Sequence, residues 1–453
     1  MSFQQGLSGL NASSKNIEII GNNVANASTF GAKSARAEFA DVFANALNGA
    51  GVNTIGIGVN LAAVAQQFTQ GNITTTENPL DLAVNGSGFF QVNDGKNPTM
   101  YTRNGQFKID RFGFIINNQM QKLLGYPVDA SGTIKPGEAQ PIQLPTQGID
   151  PTPTNRINLE LNLDSRSAKT ENAAAPDEIN FNDPKTYNNA TSVTVYDVKG
   201  QPVALTYYFQ KYDTDKWNVY ITANGTSLSN SGTGAAAKPR PLASIAFPVS
   251  GAAPTGSVAS PLVEGSPGSV TVFDKDFANP KTSATGLVTL PDIPSVKVAG
   301  GGMSEPVTGV NLSLASVFQY GASFGVTNVQ QNGYAPGQLA GLNIEDNGVI
   351  TARYSNGKTR AAGQIELASF RNPQGLQALG GNAWAATFTS GEAVRGAPGD
   401  GNFGVLQSGA LEESSIDLTG ELVSMITAQR IYQANAQTIK TQDQILQTLV
   451  NIR

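Results

Sequence analysis

Residues 409–453 read GALEESSIDLTGELVSMITAQRIYQANAQTIKTQDQILQTLVNIR, and this stretch decides the fold at one end of the chain. Apolar or small side chains recur in it at alternating steps of four and three residues, which predicts an amphipathic helix with a seam for a partner helix. Neither Gly nor Pro follows Gly420, and Ser414, Ser415 or Asp417 is placed to cap the helix start. The predicted seam consists of Leu418, Leu422, Met425, Tyr432, Ala436, Ile439, Leu446 and Val450.

The opposite end carries the same kind of pattern, interrupted by small residues. The predicted N-terminal seam consists of Phe3, Leu7, Leu10, Ile17 and Val24. The chain between the two ends is rich in strand signals, so each terminal helix finds little helical surface except the other, and we predict that the two helices pair. The alternative, a lone amphipathic helix lying on a globular core, stays open for either end.

The middle of the chain is predicted from alternation and turn residues. Apolar side chains alternate around Asn-Gly and Asp-Gly pairs, which is a hairpin signal, and such pairs cluster near both ends. The five predicted hairpin turns are Asn85-Gly86, Asp94-Gly95, Asn104-Gly105, Asn347-Gly348 and Asn356-Gly357. Between these blocks, residues 193–221 predict a three-stranded meander, and residues 244–249 and 269–273 predict weaker strands.

The resulting prediction is a mainly β protein with paired terminal α-helices and nested, discontinuous domains. Each end contributes a helix, then a β block, and the remainder is an insertion that begins in the Pro-rich segment near Pro145. The predicted domains are a helical coiled-coil core (1–30 and 415–453), an extended connector (31–71, with about 405–414), an inner β domain (72–145 and 317–404) and an outer β domain (146–316). The sequence leaves open whether the connector gains order from its neighbours or is disordered in the monomer.

Composition excludes several classes of function. The 453 residues contain no Cys and no His, which removes disulfides, thiolate zinc sites, Cys nucleophiles and His-based triads or metal sites. The 29 Lys and Arg against 34 Asp and Glu give a formal net charge of −5, so the chain lacks the basic surface that nucleic acid or an anionic membrane would require. No window approaches the roughly 20 apolar residues of a membrane span, and the N-terminal segment has no features of a cleavable Sec signal.

An enzyme remains conceivable only through carboxylates. Two acids suffice for a glycosidase, and Glu412-Glu413, Glu345-Asp346 and the pair Asp213 and Asp215 are candidates. Each pair also has an ordinary role as a helix cap, a turn former or a solvated loop, and only Trp217 and Trp384 are available for sugar stacking. We therefore predict no enzymatic activity, no cofactor and no metal site.

Three stretches of this sequence resemble the rod and hook family of bacterial flagellar axial proteins, and within that family the hook proteins. The first is residues 6–39, GLSGLNASSKNIEIIGNNVANASTFGAKSARAEF, in which a helix runs into a turn that contains Asn22, Asn23, Asn26, Thr29, Gly31 and Lys33. Ala32 stands where the family usually has an aromatic residue. The second is the C-terminal stretch 409–453, and the third is residues 334–376. The segment from about 146 to 316 carries little of the resemblance.

The resemblance implies a subunit that polymerises helically into the hook, the curved tube that joins the flagellar rod to the filament and transmits torque. It implies self-association through the seam residues above, and contacts with rod and hook-filament junction proteins. It also implies export by the flagellar type III apparatus without a cleaved signal, assembly beneath a hook cap, and an extracellular location in the flagellum. It implies no cofactor, nucleic acid or membrane insertion.

Other identities remain open at this point. A distal rod-type axial protein shares the terminal motifs but is expected to lack a large outer insertion. A flagellin is expected to have longer terminal helical regions. A secreted β-rich adhesin or glycan-acting protein is the alternative from a different class, and its activity is expected to survive deletion of either terminus.

Overall fold

The structure is a computed structural model of the chain, and it describes residues 2–42, 56, 58–129, 132–145, 147–170, 179–231, 238–252, 269–272, 281–283, 286–298 and 301–451. Helices lie at the two ends, α1 (Ser2–Asn26) and α2 (Leu418–Asn451), and strands make up most of the regular structure between them. The chain divides into unit 1, residues 1–147 and 339–453, and unit 2, residues 148–338. The predicted fold class is therefore confirmed.

The strands have the following bounds. Strands β1–β10 are Ser34–Val42, Gly58–Gln67, Ile73–Thr75, Leu82–Asn85, Phe89–Asn93, Met100–Thr102, Lys108–Ile109, Ile115–Ile116, Lys122–Tyr126 and Gln140–Pro141. Strands β11–β23 are Arg156–Asp164, Asn189–Tyr196, Pro202–Asp213, Lys216–Ala223, Thr226–Ser227, Asn230–Ser231, Lys238–Pro239, Ala243–Ala246, Ser269–Val272, Lys281–Ser283, Leu287–Thr289, Asn311–Tyr320 and Gly325–Gln331. Strands β24–β32 are Leu339–Ile344, Val349–Tyr354, Thr359–Ile365, Leu367–Ser369, Gln377–Gly380, Ala383–Ala385, Val394–Gly396, Val405–Ser408 and Ala410–Glu412. A short 3-10 helix occupies Pro373–Gly375.

Both helix boundaries follow from local signals. Helix α2 begins after Asp417, whose Oδ1 accepts the backbone N–H of Thr419 at 3.0 Å, so Asp417 is the residue that caps the helix. Glu421 lies in the first turn, where a carboxylate interacts favourably with the helix dipole. Helix α1 ends at Asn26, whose carbonyl accepts the N–H of Thr29 at 3.0 Å in the turn that follows.

The β part of unit 1 is built from both halves of the chain. Its main sheet runs β24-β25-β26-β9-β5-β6-β29-β28, so strands from before the insertion lie between strands from after it. Two smaller sheets, β3-β32 and β4-β31, also join the two halves. One apolar core contains Phe90, Phe107 and Leu123, and a second, aromatic cluster contains Phe89, Tyr101 and Trp384. The discontinuous β domain is therefore held by long-range pairing.

Unit 2 has its own core. One sheet has the order β21-β22-β11-β23, with β11 and β22 parallel, and a second has the order β12-β13-β14-β18-β19-β20. The predicted meander is confirmed as β12, β13 and β14. Trp217, Tyr207 and Phe209 are fully buried between these strands, and the indole N–H of Trp217 donates to Gln319 Oε1 at 2.9 Å. Unit 2 thus buries these three large side chains in a core of its own.

The two ends of unit 2 lie side by side. The backbone N–H of Ile149 donates to the carbonyl of Gly337 at 2.8 Å, and the N–H of Gly337 donates back to Ile149 at 3.1 Å. Thr152 and Tyr334 form a second such pair. The chain therefore enters and leaves unit 2 as two adjacent antiparallel segments.

Three of the five predicted hairpins form, at Asp94-Gly95, Asn347-Gly348 and Asn356-Gly357. The other two predictions are wrong. The strand before Asn85-Gly86 pairs with Val405–Ser408, and the strand before Asn104-Gly105 pairs with β5 and β29. A turn signal reports only local backbone preference, and a distant partner strand overrides it at both places.

Two predicted boundaries also differ from the structure. The expected exit from the outer domain at 316/317 falls inside β22, which pairs with β11, and unit 2 continues to Gln338. The expected connector 31–71 contains the antiparallel pair β1-β2, whose residues lack a clear alternation and gain order by pairing along their length. Residues 43–55 and 57 of that connector lie outside the described residues. Across the described chain, neither helix is apolar and long enough to span a membrane.

Candidate functional site

Helices α1 and α2 contact each other in antiparallel orientation. Three pairs fix the register: a Cβ built on Gly6 would lie 3.0 Å from Ile439 Cγ1, one on Gly9 would lie 2.8 Å from Asn435 Nδ2, and Asn23 Nδ2 donates to Glu421 Oε1 at 2.9 Å. The numbers fall along α2 as they rise along α1. A Cβ at either position would make the side chain of Ile439 or Asn435 shift, so glycine favours this close approach.

The buried face of α1 differs in phase from the predicted seam. Its buried positions are Gly6, Ser13 and Ile20, spaced by seven residues, together with Asn23. On α2 the most buried residue is Ala428. Small side chains occupy the contact because they allow the helix axes to approach closely, and a count of leucines cannot detect such a face.

The predicted seam residues therefore divide into two groups. Leu10, Ile17, Val24, Met425, Ala436 and Ile439 are half-buried. Leu7, Leu418, Leu422, Tyr432 and Leu446 are exposed, with 37–49% of their surface accessible. Phe3 and Val450 lie among the residues whose side chains are not described. Leu7 therefore stays exposed within one chain, and its contact with seam residues of α2, in one subunit or between neighbours, stays a prediction.

Helix α2 keeps a second apolar face in solvent. Leu418, Leu422 and Ile426 follow each other at intervals of four residues, and Ile426 points roughly 160° away from Ala428 at about 100° per residue. The second apolar face consists of these three residues; the other exposed large apolar side chains of the described helix are spread around its other sides and are Val423, Ile431, Tyr432, Ile445 and Leu446. One helix partner does not cover this surface.

The Asn-rich segment fixes α1 to the strand that follows it. Asn23 Oδ1 accepts the N–H of Ala35 at 2.9 Å, while its Nδ2 donates to the Ala35 carbonyl at 2.8 Å and to Glu421. One buried amide thus joins α1, β1 and α2. Asn26 Nδ2 donates to the Asn22 carbonyl at 2.9 Å, and the Thr29 carbonyl accepts the N–H of Ala32 at 3.2 Å.

Gly31 turns the chain at a crowded point. Its φ of 70° lies in the left-handed region, and a Cβ there would lie 2.6 Å from the backbone nitrogen of Asn104. Its N–H donates to the carbonyl of Glu412 at 2.8 Å. Only glycine satisfies both requirements, so this position allows the N-terminal segment to reach the strand that leads into α2.

Lys33, Glu412 and Arg103 form a buried charged cluster at this junction. Glu412 Oε1 accepts from Lys33 Nζ at 2.6 Å and from the N–H of Gly71 at 3.0 Å, and Oε2 accepts from Arg103 Nη1 at 3.2 Å. The side chains of Lys33, Glu412 and Arg103 are 1%, 0% and 6% exposed. Three distant segments therefore meet on one carboxylate.

The cluster holds two cations and one anion, and backbone carbonyls support the cations. Lys33 Nζ also donates to the Thr69 carbonyl at 2.7 Å, and Arg103 Nη2 donates to the Gly86 carbonyl at 2.8 Å. Burial lowers the pKa of Lys33, and the adjacent Glu412 opposes that shift. Loss of the carboxylate would leave two buried cations without a counter-charge.

Sequence reasoning named Gly31 and Lys33 but missed the partners that explain them. Glu412 was considered only as half of a carboxylate pair with Glu413, and Arg103 was not singled out. Lys33 and Glu412 are 379 positions apart, and neither residue carries a local signal for the other. Glu412 lies in strand β32, and its importance can be recognised only when the structure shows that its carboxylate is buried.

The Trp rings and carboxylate pairs considered for a glycan-acting enzyme are buried or make other contacts. Trp217 and Trp384 are both buried, so neither ring is available to stack on a sugar. Asp213 accepts from Lys169 Nζ at 2.8 Å, and Asp215 Oδ1 accepts from Gln319 Nε2 at 2.6 Å. Glu345 and its neighbours form the turn before β25. These carboxylates have structural roles.

Comparison with protein families gives four matches along the chain. Residues 3–33 match the flagella basal body rod protein model, and residues 83–162 match the flagellar hook protein FlgE/F/G D1 domain. Residues 129–334 match the flagellar basal body protein FlaE D2 domain, and residues 407–452 match the flagellar basal body rod FlgEFG protein C-terminal model. The D2 match extends past the predicted exit at 316, in agreement with the limits of unit 2.

Several relatives align with this chain over their whole length. The chain is 37% identical over 458 residues to the flagellar hook protein FlgE of Escherichia coli (strain K12), with 100% of both chains covered, and equally similar to that of Salmonella typhimurium. It is 29% identical to the FlgE of Borreliella burgdorferi, with 100% and 99% covered. The crystal structure of Helicobacter pylori flagellar hook protein FlgE2 aligns at a TM-score of 0.48 and 14% identity, covering 75% of this chain and 100% of that chain.

Proposed function

This chain belongs to the flagellar hook protein family, and from that premise we propose how its ends and its β units share the work of the hook. The chain is a structural subunit of the flagellar hook, and membership of the family implies self-polymerisation there. Our proposal is that the terminal helices form the inner, stiff part of a curved tube that transmits torque from rod to filament.

The observation that carries the proposal is the second apolar face of α2. Exposed apolar stripes of this size on a long helix are unfavourable in water and typical of a surface that another protein covers. Because copies of the same chain surround each subunit in a polymer, we infer that helices of neighbouring copies cover it. The seam residues Leu418, Leu422, Tyr432 and Leu446 would then act between subunits, while Met425 and Ile439 act within one.

The buried cluster of Lys33, Glu412 and Arg103 has the properties needed for mechanical coupling. It ties the segment after α1, the strand before α2 and the body of unit 1 to a single carboxylate. Force applied to the helix pair therefore reaches the β domain through short, charge-assisted hydrogen bonds rather than through a loose loop. We propose that this junction makes the helices and the β part of unit 1 move together.

We propose four functional regions, with boundaries adjusted to the structure. They are the terminal helices α1 and α2, a connector that contains β1 and β2, an inner β domain in unit 1, and an outer β domain that is unit 2. Charged residues are only 14% of the whole chain, and we infer from this that the outer domain presents a polar, sparsely charged surface. Water-mediated polar contacts between subunits can exchange partners when neighbouring subunits slide. We therefore assign bending to the contacts of the outer domain and stiffness to the terminal helices.

We further propose the partners and the route that the family suggests. The subunit would contact rod and hook-filament junction proteins at the two ends of the tube, and a hook cap during growth. Its location in the flagellum would be reached through the type III export apparatus without signal cleavage. Support comes from the absence of Cys, because an unfolded chain without thiols does not cross-link during passage or in an oxidising space.

The alternative identities are not favoured. The whole length of hook proteins aligns with the whole length of this chain, including the insertion that a distal rod-type protein is expected to lack. A secreted adhesin or glycan-acting protein has no comparable support, because the aromatic rings and carboxylates proposed for it are buried or engaged.

Electron microscopy of the purified full-length chain tests the proposal. We expect a curved tube from the unsubstituted chain and none from Ile439→Asp or Leu446→Asp, since each places a charge in a helix contact. Val198→Asp, at an exposed apolar residue of unit 2, is the control and should still form tubes. Tubes of normal length from both helix variants would contradict the assignment of the helices.

A further inference from the structure

The turn at residues 387–390 carries a fully exposed aromatic ring on a rigid base. Phe388 is 102% exposed, which means that its side chain is as accessible as in an extended peptide. The residues beside it are Thr387, Thr389 and Ser390, and Ser390 is buried. A hydrogen-bonded turn that holds one large apolar side chain fully in solvent is unusual, because folding normally places such a ring inside.

Hydrogen bonds hold the base of the ring in place. The Thr387 hydroxyl donates to the Gly375 carbonyl at 2.5 Å, the Ser390 hydroxyl donates to the Thr387 carbonyl at 2.9 Å, and the N–H of Thr387 donates to the Ser390 hydroxyl at 2.9 Å. Asn372 Nδ2 adds a bond to the Thr389 carbonyl at 3.1 Å. The turn is thus anchored to the 3-10 helix at Pro373–Gly375.

The chemistry around Phe388 fits burial against another protein. No charged residue occurs in the sequence Ala-Thr-Phe-Thr-Ser-Gly at positions 386–391, so covering the ring desolvates hydroxyls that are already hydrogen-bonded and no ions. Interface hot spots consist of rigid aromatic anchors surrounded by uncharged contacts. Because the turn is already ordered in the folded chain, association loses little further conformational entropy there, which favours tight binding.

We propose that Phe388 is an anchor residue that inserts into the surface of a second copy of this chain in the polymer. The inference rests on the proposed function, since the family membership makes another copy the protein that surrounds each subunit. A helical polymer uses heterologous contacts, in which one surface meets a different surface of the next copy. The ring therefore contacts a part of the neighbouring copy other than its own residue 388.

Polymerisation of the purified full-length chain tests the inference. The concentration that remains unsedimented at equilibrium should rise about tenfold or more in Phe388→Ala, because loss of a hot-spot side chain weakens each added contact. Val394→Ala, at another exposed apolar residue of unit 1, is the matched control and should change this concentration by less than about threefold. Equal effects of the two substitutions would overturn the inference.

Two measurements separate this inference from folding and from the proposed function. The Tm of dilute Phe388→Ala should stay within about 2 °C of the unsubstituted chain, because the ring contributes little to the single fold. If the unsubstituted chain forms no tubes, the proposed function fails. If it forms tubes and Phe388→Ala forms them at the same concentration, only the inference about Phe388 fails.

Cross-linking identifies the partner directly. A photoreactive benzophenone derivative of phenylalanine at position 388 should give a product of twice the chain mass in tubes and none in dilute monomer. Mass spectrometry should map the attachment to a position other than 388 in the second copy. A product linked through 388 on both chains, or no product in tubes, would overturn the proposal.

Discussion

Helix α2 and the core of unit 2 differ in how far their apolar side chains are exposed to solvent. Unit 2 buries Trp217, Tyr207 and Phe209 completely inside one chain, whereas α2 leaves eight large apolar side chains between 37% and 59% exposed. The first region is complete when the chain folds, whereas we propose that helices of neighbouring copies cover the second. On that proposal, the comparison separates a part of the subunit that carries its own stability from a part that depends on assembly.

The largest loss of stability in the isolated chain is expected at Glu412, where the terminal helices join the β part of unit 1. Glu412→Ala leaves two buried cations unpaired, so the free energy of unfolding of unit 1 should fall by about 3–5 kcal/mol. Trp384 fluorescence in a Trp217→Phe background reports unit 1. Glu413→Ala is the control and should change the value by less than about 0.5 kcal/mol. Equal stability of the two variants would contradict the proposal that the buried cluster of Lys33, Glu412 and Arg103 stabilises unit 1.

A core substitution should act on unit 2 alone. Leu205 is fully buried, and Leu205→Ala should lower the free energy of unfolding of unit 2 by about 2–5 kcal/mol through lost burial and a cavity. Trp217 fluorescence in a Trp384→Phe background follows this transition, while the reverse background follows unit 1. Val249→Ala, at an exposed residue, serves as the control. A matching loss in unit 1 would show that the two cores are not independent.

A smaller effect is expected at the amide that joins α1, β1 and α2. Asn23→Ala removes three hydrogen bonds and leaves the partly buried N–H of Ala35 without its amide acceptor, at a cost of about 1–3 kcal/mol. Hydrogen exchange of the α1 amides should accelerate accordingly. Asn11→Ala, at an exposed position of the same helix, should leave their exchange unchanged. Unaltered exchange in Asn23→Ala would mean that the helix is held by other contacts.

The smallest effect on the single chain should accompany complete loss of the tube. Ile426→Ser changes an exposed residue, so the free energy of unfolding should stay within about 0.5 kcal/mol of the unsubstituted value. Tubes should nevertheless be absent in electron micrographs, because the second apolar face of α2 is damaged. Gln437→Ser lies on the same side of the helix and should form tubes. Tubes from Ile426→Ser would place the subunit contacts elsewhere.

The sequence predicts features whose causes are local. The two terminal helices, the cap at the start of α2 and the hairpins at Asn347-Gly348 and Asn356-Gly357 follow from periodicity and turn chemistry within a few residues. The phase of the helix contact was missed because its buried positions are Gly6 and Ser13, which carry no apolar signal. The helix contact depends on how closely the two helix backbones approach, and hydrophobic periodicity does not report that distance.

The parts that could not be predicted depend on partners far along the chain. The strand before Asn85-Gly86 pairs with Val405–Ser408, and Lys33 meets Glu412 across almost the whole sequence. Periodicity contains no information about such contacts, since any of several strands or carboxylates would satisfy the same local pattern. The family resemblance singled out Gly31 and Lys33, but only the fold shows that crowding and a buried carboxylate require them.

The adjacent ends of unit 2 make it an exchangeable module. Ile149 and Gly337 exchange backbone hydrogen bonds, so the chain enters and leaves unit 2 at neighbouring points. A change in the length of the insertion between these points alters the loop-closure entropy only slowly. On our proposal that unit 2 is the outer domain, enlarging, shrinking or replacing the insertion would change the outer surface of the hook and leave the sequence of the terminal helices untouched.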